Sequence, residues 1–298
     1  MLSILIPTYN YNVYKLVTEI KRQADNLGID YEILIQDDNS KTFIKENAAI
    51  NSLSNCNFSI NIQNLGRGKN INLLCSKSRY ENVLIMEADS FPENELYLKN
   101  YIDLLTESTT VIFGGVKYPS IVPPTEKLLR WKYGTDREFK SLKHRLEYNY
   151  DFVFTWNLLL RKEILLQLPF PEFISEYGYE DTVFIKNLRS NSVSITHIEN
   201  PLIHYNNEYS IDFIKKTEKA VNTLYHLIRL HKIEYQDIQL VAIYTIVKKL
   251  YLTGLVKTIY IKNKHRILNN LTSENPNLYF LDFYKLGYLC CYDQSINV

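Results

Sequence analysis

The sequence predicts an α/β protein with a mostly parallel, doubly wound sheet, followed by a C-terminal helical segment. In the first half of the chain, short apolar runs alternate with amphipathic stretches, which is typical of strands joined by helices. Acidic or polar residues follow several of these runs. From about residue 208 the pattern changes to long helical stripes. A chain of 298 residues is long enough to bury a large core.

The first five strands are expected where the apolar runs are short. They are residues 2–6, 31–35, 58–62, 83–86 and 111–113. Helical spacing predicts helices over residues 13–27, 41–55 and 69–77. Because right-handed crossovers bring the carboxyl ends of parallel strands to one edge, the residues after the strands should share one crevice.

In the second half of the chain, the sequence predicts one domain boundary, near residue 207. Residues 117–150 contain three prolines and are expected to form a substrate loop with one short helix at 126–132. Further strands are expected at 152–155 and 193–195, and helices at 161–168 and 182–188. The domains are therefore residues 1–207 and a helical region, 208–298, with helices near 214–228 and 237–261.

Composition limits the partners and the compartment. The net charge of +1 gives no overall attraction to nucleic acid. Four cysteines without zinc-ligand spacing indicate a reducing compartment. No signal peptide or run of roughly 20 apolar residues is found, so we expect a cytoplasmic protein or one peripheral to the inner face of the plasma membrane. The basic segment 237–266 either lies on an anionic membrane or belongs to helices that shape an acceptor site.

Two polar segments follow the first two strands. Pro7 should end the first strand, and Thr8, Tyr9 and Asn10 could then contact a base or ribose; the alternative is an ordinary loop. Asp38, after the second strand, could accept hydrogen bonds from a base or ribose, or could cap a helix.

A glycine-rich turn, residues 64–70, enters the third helix. Backbone N–H groups and the positive end of the helix dipole favour phosphate at such a place. Arg67 and Lys69 would add positive charge. A flexible turn with solvated cations is the alternative.

Glu87 and Asp89 follow the fourth strand and form the candidate metal motif. Mg²⁺ and Mn²⁺ are commonly held by few carboxylates together with substrate phosphates. His204, after a late strand, could complete the coordination that Asp89 begins, although most lone histidines are structural.

Glu180 and Asp181 open a predicted helix after Gly178. Asp181 could act as a general base toward a sugar hydroxyl, whereas acids in a first helical turn also stabilise the helix end. Trp156 and Tyr179 could form an acceptor platform, or could belong to the core.

Taken in order, these segments resemble the family 2 glycosyltransferases of the GT-A fold over about residues 1–205. The resemblance implies donor-binding residues, a metal site, a catalytic base and an acceptor side. The implied donor-binding residues are Pro7, Thr8, Tyr9, Asn10, Asp38, Asn64, Lys69, Asn70, Glu87 and Asp89. It implies Asp181 as the catalytic base and Trp156, Tyr179 and Glu180 on the acceptor side.

The segment from Gly178 to His204 also looks like β-1,4-galactosyltransferase-like and chondroitin-polymerase-like enzymes, which implies that His204 joins Asp89 in binding the metal. Two positions depart from the family pattern. Glu87 stands where Asp is usual, and Lys69 stands where Arg is common; a lysine keeps the charge but not a bidentate grip on phosphate.

The activity implied by the resemblance is transfer with inversion, dependent on Mn²⁺ or Mg²⁺. The donor would be a nucleoside-diphosphate sugar, with UDP favoured, and the acceptor a glycan or lipid-linked hydroxyl in surface polysaccharide synthesis. Two other classes remain open: a non-catalytic relative that binds nucleotide or carbohydrate, and a sugar nucleotidyltransferase. The nucleotidyltransferase would be expected to carry a glycine-rich basic loop directly after the first strand, which this chain lacks.

Overall fold

The computed structural model describes residues 1–106, 110–174 and 176–296. The chain forms two compact units, neither of them a single continuous segment. The first unit contains Met1–Pro119, Arg137–Ser175 and Glu180–Asn206. The second contains Ser120–Asp136, Glu176–Tyr179 and Asn207–Val298. Two short segments before residue 207 therefore belong with the C-terminal helices.

All ten described strands lie in the first unit. They are β1 (Leu2–Thr8), β2 (Tyr31–Asp37), β3 (Cys56–Ile60), β4 (Asn82–Met86), β5 (Ser90–Pro92), β6 (Val111–Phe113), β7 (Val116–Lys117), β8 (Asn157–Arg161), β9 (Ile195–His197) and β10 (Leu202–His204). Seven strands form one sheet in the order β3-β2-β1-β4-β8-β6-β9, and β5, β10 and β7 form a second, smaller sheet.

The large sheet is parallel except at β8, which runs antiparallel to both β4 and β6. The predicted mostly parallel α/β sheet is thus confirmed. The strand predicted at 152–155 is wrong: the strand is Asn157–Arg161. Because this strand runs antiparallel to β4, it does not have to be preceded by the crossover helix that parallel neighbours require.

The twelve described α-helices are α1 (Tyr14–Leu27), α2 (Ile44–Ala48), α3 (Arg67–Lys77), α4 (Tyr97–Ile102), α5 (Leu128–Tyr133), α6 (Leu142–Glu147), α7 (Lys162–Gln167), α8 (Glu180–Ser190), α9 (Ser210–Arg229), α10 (Gln239–Lys249), α11 (Thr253–Leu271) and α12 (Leu278–Ile296). The helix predicted over 41–55 shrinks to α2 and a 3-10 turn at Ala49–Ser52. The predicted loop at 117–150 contains two helices, α5 and α6, rather than one.

The central strand β1 shows why the strand ends meet. Every residue from Leu2 to Thr8 is buried, as expected for a parallel strand covered on both faces. The prediction that Pro7 ends the strand is wrong. On the side of β1 that faces β4, only residues 2–5 are paired, so the absence of an N–H group at Pro7 breaks no hydrogen bond to β4. Thr8 is paired in register with Asp37, so the polar residues after β1 and β2 are neighbours.

The second unit is helical and has its own core. Leu129, Phe213, Ile214, Tyr260 and Leu281 are among the side chains in one buried cluster. The single helix predicted over 237–261 is wrong, because α10 and α11 are separate and bent by 117°. Tyr251 lies at the break with a φ of 59°, a left-handed conformation that ends a helix.

The long C-terminal helix α12 was not predicted. Among the described residues, no single helix meets the length and apolarity needed to cross a membrane, while α10 and α11 meet them only when taken together.

Candidate functional site

The turns after β1 and β2 are joined by hydrogen bonds. The Asp38 N–H donates to the Thr8 carbonyl at 2.8 Å, and the Asn10 N–H donates to Ser40 Oγ at 2.6 Å. The Lys41 N–H donates to Asn10 Oδ1 at 2.7 Å. Among the predicted donor residues of this turn, Pro7 and Thr8 are buried, whereas Tyr9 is 54% exposed. Tyr9 therefore offers the largest surface to a ligand.

Asp38 holds the entrance to α3. Its Oδ1 accepts from Asn61 Nδ2 and from the Leu65 N–H, both at 2.8 Å. Its Oδ2 accepts from the Gly66 N–H at 2.9 Å. The backbone N–H groups of this turn were expected to bind phosphate. Those of Leu65 and Gly66 instead donate to the carboxylate of Asp38, which directly follows β2. A role for Asp38 in reading the base stays a prediction.

The predicted asparagines of the glycine-rich turn also hold the backbone. Asn64 Nδ2 donates to the Asp38 carbonyl at 3.0 Å, and the buried Asn70 donates to the Gln36 carbonyl at 2.8 Å. The side chain of Lys69, by contrast, is half-buried and forms no hydrogen bond or ion pair with the described residues. It is the cation of this turn that a ligand could engage.

Arg67 joins the acidic triplet to the predicted base. Its Nη2 lies 3.0 Å from Glu87 Oε2, and its Nη1 lies 2.7 Å from Asp181 Oδ1. The same Nη1 donates to Thr155 Oγ1 at 2.9 Å. The Thr155 hydroxyl in turn donates to Asp181 Oδ1 at 2.6 Å. Two side chains thus fix one oxygen of Asp181.

A glycine in the first turn of α3 allows that helix to approach Phe170 closely. A Cβ at position 68 would lie only 3.2 Å from Phe170 Cβ and 3.9 Å from Glu180 Cβ. Gly68 is buried in the first turn of α3. A Cβ there would require Phe170 to shift by a few tenths of an ångström, whereas its distance from Glu180 is that of an ordinary van der Waals contact.

The acids around Arg67 perturb one another. Burial raises the pKa of Glu87, and the neighbouring Asp89 adds to the effect while Arg67 opposes it. Burial and the adjacent Asp181 likewise raise the pKa of Glu180. For Arg67, burial alone would lower the pKa, but Asp181 and Glu87 raise it above the ordinary value. Such a concentration of perturbed groups is common at functional sites.

Asp89 and His204 converge, as predicted from their order in the sequence. His204 Nε2 lies 2.9 Å from Asp89 Oδ1. The two residues are brought together by the small sheet, where His204 pairs with Ser90, and by the Tyr205 N–H, which donates to the Asp89 carbonyl at 2.8 Å. The Nδ1 atom of His204 is buried and has no hydrogen-bond partner in the described part of the chain.

This pair fits a hard divalent cation. Within residues 1–106, 110–174 and 176–296, no three His, Cys, Asp or Glu side chains form a metal-binding group. Two protein ligands are enough for Mg²⁺ or Mn²⁺ when substrate phosphates supply others, and the carboxylate of Asp89 suits both ions. The donor atoms of Asp89 and His204 therefore fit the predicted metal.

Comparison with known proteins identifies the family. Residues 3–168, more than half of the chain, match the family model described as glycosyl transferase family 2. The chain belongs to that family. The resemblance stated from the sequence motifs is thus confirmed. In a comparison with curated proteins, no sequence matches the chain.

Solved structures support the same fold for this family 2 chain. It is similar to the mannosyltransferase PcManGT from Pyrobaculum calidifontis in complex with GDP-Man and Mn²⁺, with 13% identity, a TM-score of 0.57 and coverage of 98% of this chain and 87% of that one. It is also similar to glucosyl-3-phosphoglycerate synthase from Mycobacterium tuberculosis in complex with Mn²⁺, UDP and glucosyl-3-phosphoglycerate, with 17% identity, a TM-score of 0.51 and coverage of 77% and 79%.

S. aureus TarS matches at 20% identity with a TM-score of 0.47. That match covers 73% of this chain but only 38% of TarS, so the family 2 chain spans about two fifths of that protein. The likeness to the Pyrobaculum and mycobacterial enzymes, whose TM-scores exceed 0.5, establishes the fold, and the predicted GT-A type of fold is confirmed.

The predicted acceptor residues of this family 2 chain are placed differently from one another. Trp156 is only 7% exposed, and its ring lies 4.8 Å from that of His204, centroid to centroid, so it packs on the imidazole. Glu180 opens α8 beside Asp181. Tyr179 belongs to the second unit, where burial raises the pKa of its hydroxyl. Acceptor binding by these three residues stays a prediction.

Sequence reasoning missed three residues of the site. Arg67 was noted only as a cation for phosphate, and Thr155 was placed in a strand. Tyr11 lies near Asp89: burial raises the pKa of its hydroxyl, and the Asp89 charge adds to this. The position of Arg67 directly after Gly66, at the start of a helix, was the one available signal.

Proposed function

We propose that the chain is an inverting, metal-dependent glycosyltransferase that moves a sugar from a nucleoside-diphosphate donor to an acceptor hydroxyl. The observation that carries the proposal is the link from Asp181 through Arg67 to Glu87, next to the pair of Asp89 and His204. A base, a cation and a metal-binding pair are then held in one unit. Membership of family 2 supports the reaction class.

Asp89 and His204 would hold Mn²⁺ or Mg²⁺, which when bound would offset the negative charge of the departing diphosphate. Trp156 would keep the imidazole of His204 in place by packing on it. Lys69, at the start of α3, would add a positive charge on the donor side.

Asp181 would act as the base through one particular oxygen. Oδ1 accepts from Arg67 and Thr155, and Oδ2 accepts no hydrogen bond from the described residues. Oδ2 would take the proton of the acceptor hydroxyl. The acceptor oxygen would then form a bond to the anomeric carbon as the bond from that carbon to the diphosphate oxygen breaks, with the electron pair leaving on the diphosphate.

The donor and acceptor are proposed from resemblance. UDP is favoured as the nucleotide, and a glycan or lipid-linked acceptor in surface polysaccharide synthesis is expected for this kind of enzyme. The Pyrobaculum structure contains GDP-Man and the mycobacterial one UDP, so the first experiment must compare nucleotides.

The test is calorimetric titration of UDP, GDP and dTDP with and without Mn²⁺, followed by assay of nucleoside-diphosphate release from the sugar donor that binds. Asp181→Asn should keep nucleotide binding and lose about 10²–10⁴-fold in transfer. Asp103→Asn, at an exposed acid, is the matched control. Unchanged turnover in Asp181→Asn would remove this residue from the role, and no binding of any nucleotide by folded protein would indicate a non-catalytic relative.

A further inference from the structure

The break between α10 and α11 carries an exposed apolar surface in the second unit. Ile246, Leu250, Tyr251, Leu252 and Leu255 are 58%, 59%, 92%, 39% and 56% exposed, respectively. These five residues are called the corner surface. Contiguous exposed apolar patches commonly mark interaction sites in soluble domains, whereas single exposed apolar residues do not.

Packing within the unit does not account for the corner surface. On α10, Val241 and Tyr244 are buried, and on α11, Tyr260 and Ile267 are buried. Each helix therefore already has a face that contributes to the core. The apolar residues of the corner surface lie outside those faces, so another environment must favour them.

Basic side chains are in excess in the segment that carries the corner surface, although two of them are paired with acids of other helices: Lys248 lies 3.3 Å from Asp293 and Lys264 lies 3.6 Å from Glu218. Residues 238–273 contain six basic side chains and no Asp or Glu. The basic residues are Lys248, Lys249, Lys257, Lys262, Lys264 and Arg266. A segment that combines exposed apolar residues with cations and lacks acids is complementary to a surface that is apolar inside and negative outside.

We propose that the corner surface docks on an anionic lipid bilayer. The apolar residues would enter the boundary between headgroups and acyl chains, to a depth of about 5–10 Å, while the lysines attract anionic headgroups. Tyr251 has the apolar ring and polar hydroxyl that suit this boundary. A symmetric contact with a second copy fits less well, because it would bring together two segments in which Lys249, Lys262 and Arg266 form no ion pair with the described residues.

Co-sedimentation of the full chain with vesicles tests the proposal. Vesicles of phosphatidylcholine alone are compared with vesicles that also contain phosphatidylglycerol. We expect binding to the mixed vesicles that weakens as salt is raised. Lys249→Gln with Lys262→Gln, at two exposed lysines, should lower the partition coefficient roughly 30-fold, since each surface charge contributes about 1 kcal/mol. Leu250→Asp with Leu255→Asp should abolish binding.

Matched controls use the first unit. Lys45→Gln with Lys143→Gln removes two exposed lysines, and Leu96→Asp with Leu166→Asp changes two leucines that are 57% and 56% exposed. Both controls should bind vesicles as wild type does. The proposal is overturned if wild type ignores anionic vesicles, if the corner variants bind as well as the controls, or if light scattering shows a dimer that the corner variants dissociate.

Discussion

The guanidinium of Arg67 donates to the carboxylate of Asp181 at 2.7 Å, while its other edge holds Glu87 at 3.0 Å. One cation from the first turn of α3 therefore organises acids that come from two other parts of the chain. Charged hydrogen bonds of this kind are stronger than neutral ones and restrict geometry. In the proposed reaction, Arg67 is a positioning residue that acts through Asp181.

Replacement of Arg67 should affect both stability and transfer. Arg67→Met leaves Glu87 and Asp181 without their shared cation, and we expect a loss of about 2 kcal/mol in the free energy of unfolding. The estimate lies below that for a fully buried pair because 20–26% of these side chains is exposed. Transfer should fall at least about 10²-fold, because a misplaced base loses its alignment. Urea unfolding and nucleoside-diphosphate release measure the two effects.

A double-mutant cycle separates charge balance from position. The pair Arg67→Met with Glu87→Gln should recover part of the lost stability without recovering transfer, since it removes one unpaired carboxylate but still leaves Asp181 held by the Thr155 hydroxyl alone. Arg22→Met, in an exposed pair with Glu19, is the control and should change the unfolding free energy by under about 1 kcal/mol. Full transfer in Arg67→Met would contradict the positioning role.

Removal of either predicted metal ligand should weaken Mn²⁺ binding. Asp89→Asn and His204→Ala each delete one of the two protein donors that converge at 2.9 Å, and we expect the affinity for Mn²⁺ in the presence of UDP to fall at least about tenfold. Electron paramagnetic resonance of free Mn²⁺ gives the affinity directly, without an activity assay. His231→Ala, at an exposed histidine, should leave it unchanged; equal affinities in all variants would place the metal elsewhere.

Asp38 should contribute to the stability of the fold as well as to nucleotide binding. Its carboxylate accepts three hydrogen bonds that hold Asn61 and the turn at Leu65 and Gly66. Asp38→Ala should therefore lower the unfolding free energy by about 3 kcal/mol, measured by urea unfolding. Asp30→Ala, at an exposed acid, should change it by under about 0.5 kcal/mol. A stable Asp38→Ala that loses only nucleotide binding would show that the contacts in the turn are dispensable.

Glu180 should make stability depend on pH. Burial and Asp181 raise the pKa of its carboxyl above the ordinary 4.5, so the folded chain holds this proton more tightly than the unfolded chain does. The stabilisation by this proton is fully present below pH 4.5 and is lost as pH rises through the raised pKa. Glu180→Gln, which does not ionise, should be more stable than wild type at pH 8, and the difference should shrink as the pH falls toward 4.5. A difference in unfolding free energy that grows on acidification would contradict this assignment.

Much of the fold could be predicted because parallel strands leave a strong local signal. The residues of β1, β2 and β4 are buried almost throughout. A strand that is buried on both faces is apolar along its whole length, so a continuous apolar run in the sequence predicts it. The antiparallel strand β8 and the break at Tyr251 could not be predicted in the same way. Both depend on which neighbour the chain meets, and local periodicity does not record that.

The order of acidic segments along the chain determined that Asp38, Glu87, Asp89 and Asp181 would follow strands or open a helix, because residue type and spacing suffice for that. Only the tertiary structure decided how they are paired. In the folded chain, Asp38 accepts hydrogen bonds from the turn before α3, and Arg67 forms ion pairs with Glu87 and Asp181. Positions 67 and 181 are far apart in sequence, and their contact depends on how the first turns of α3 and α8 pack together, which local periodicity does not record.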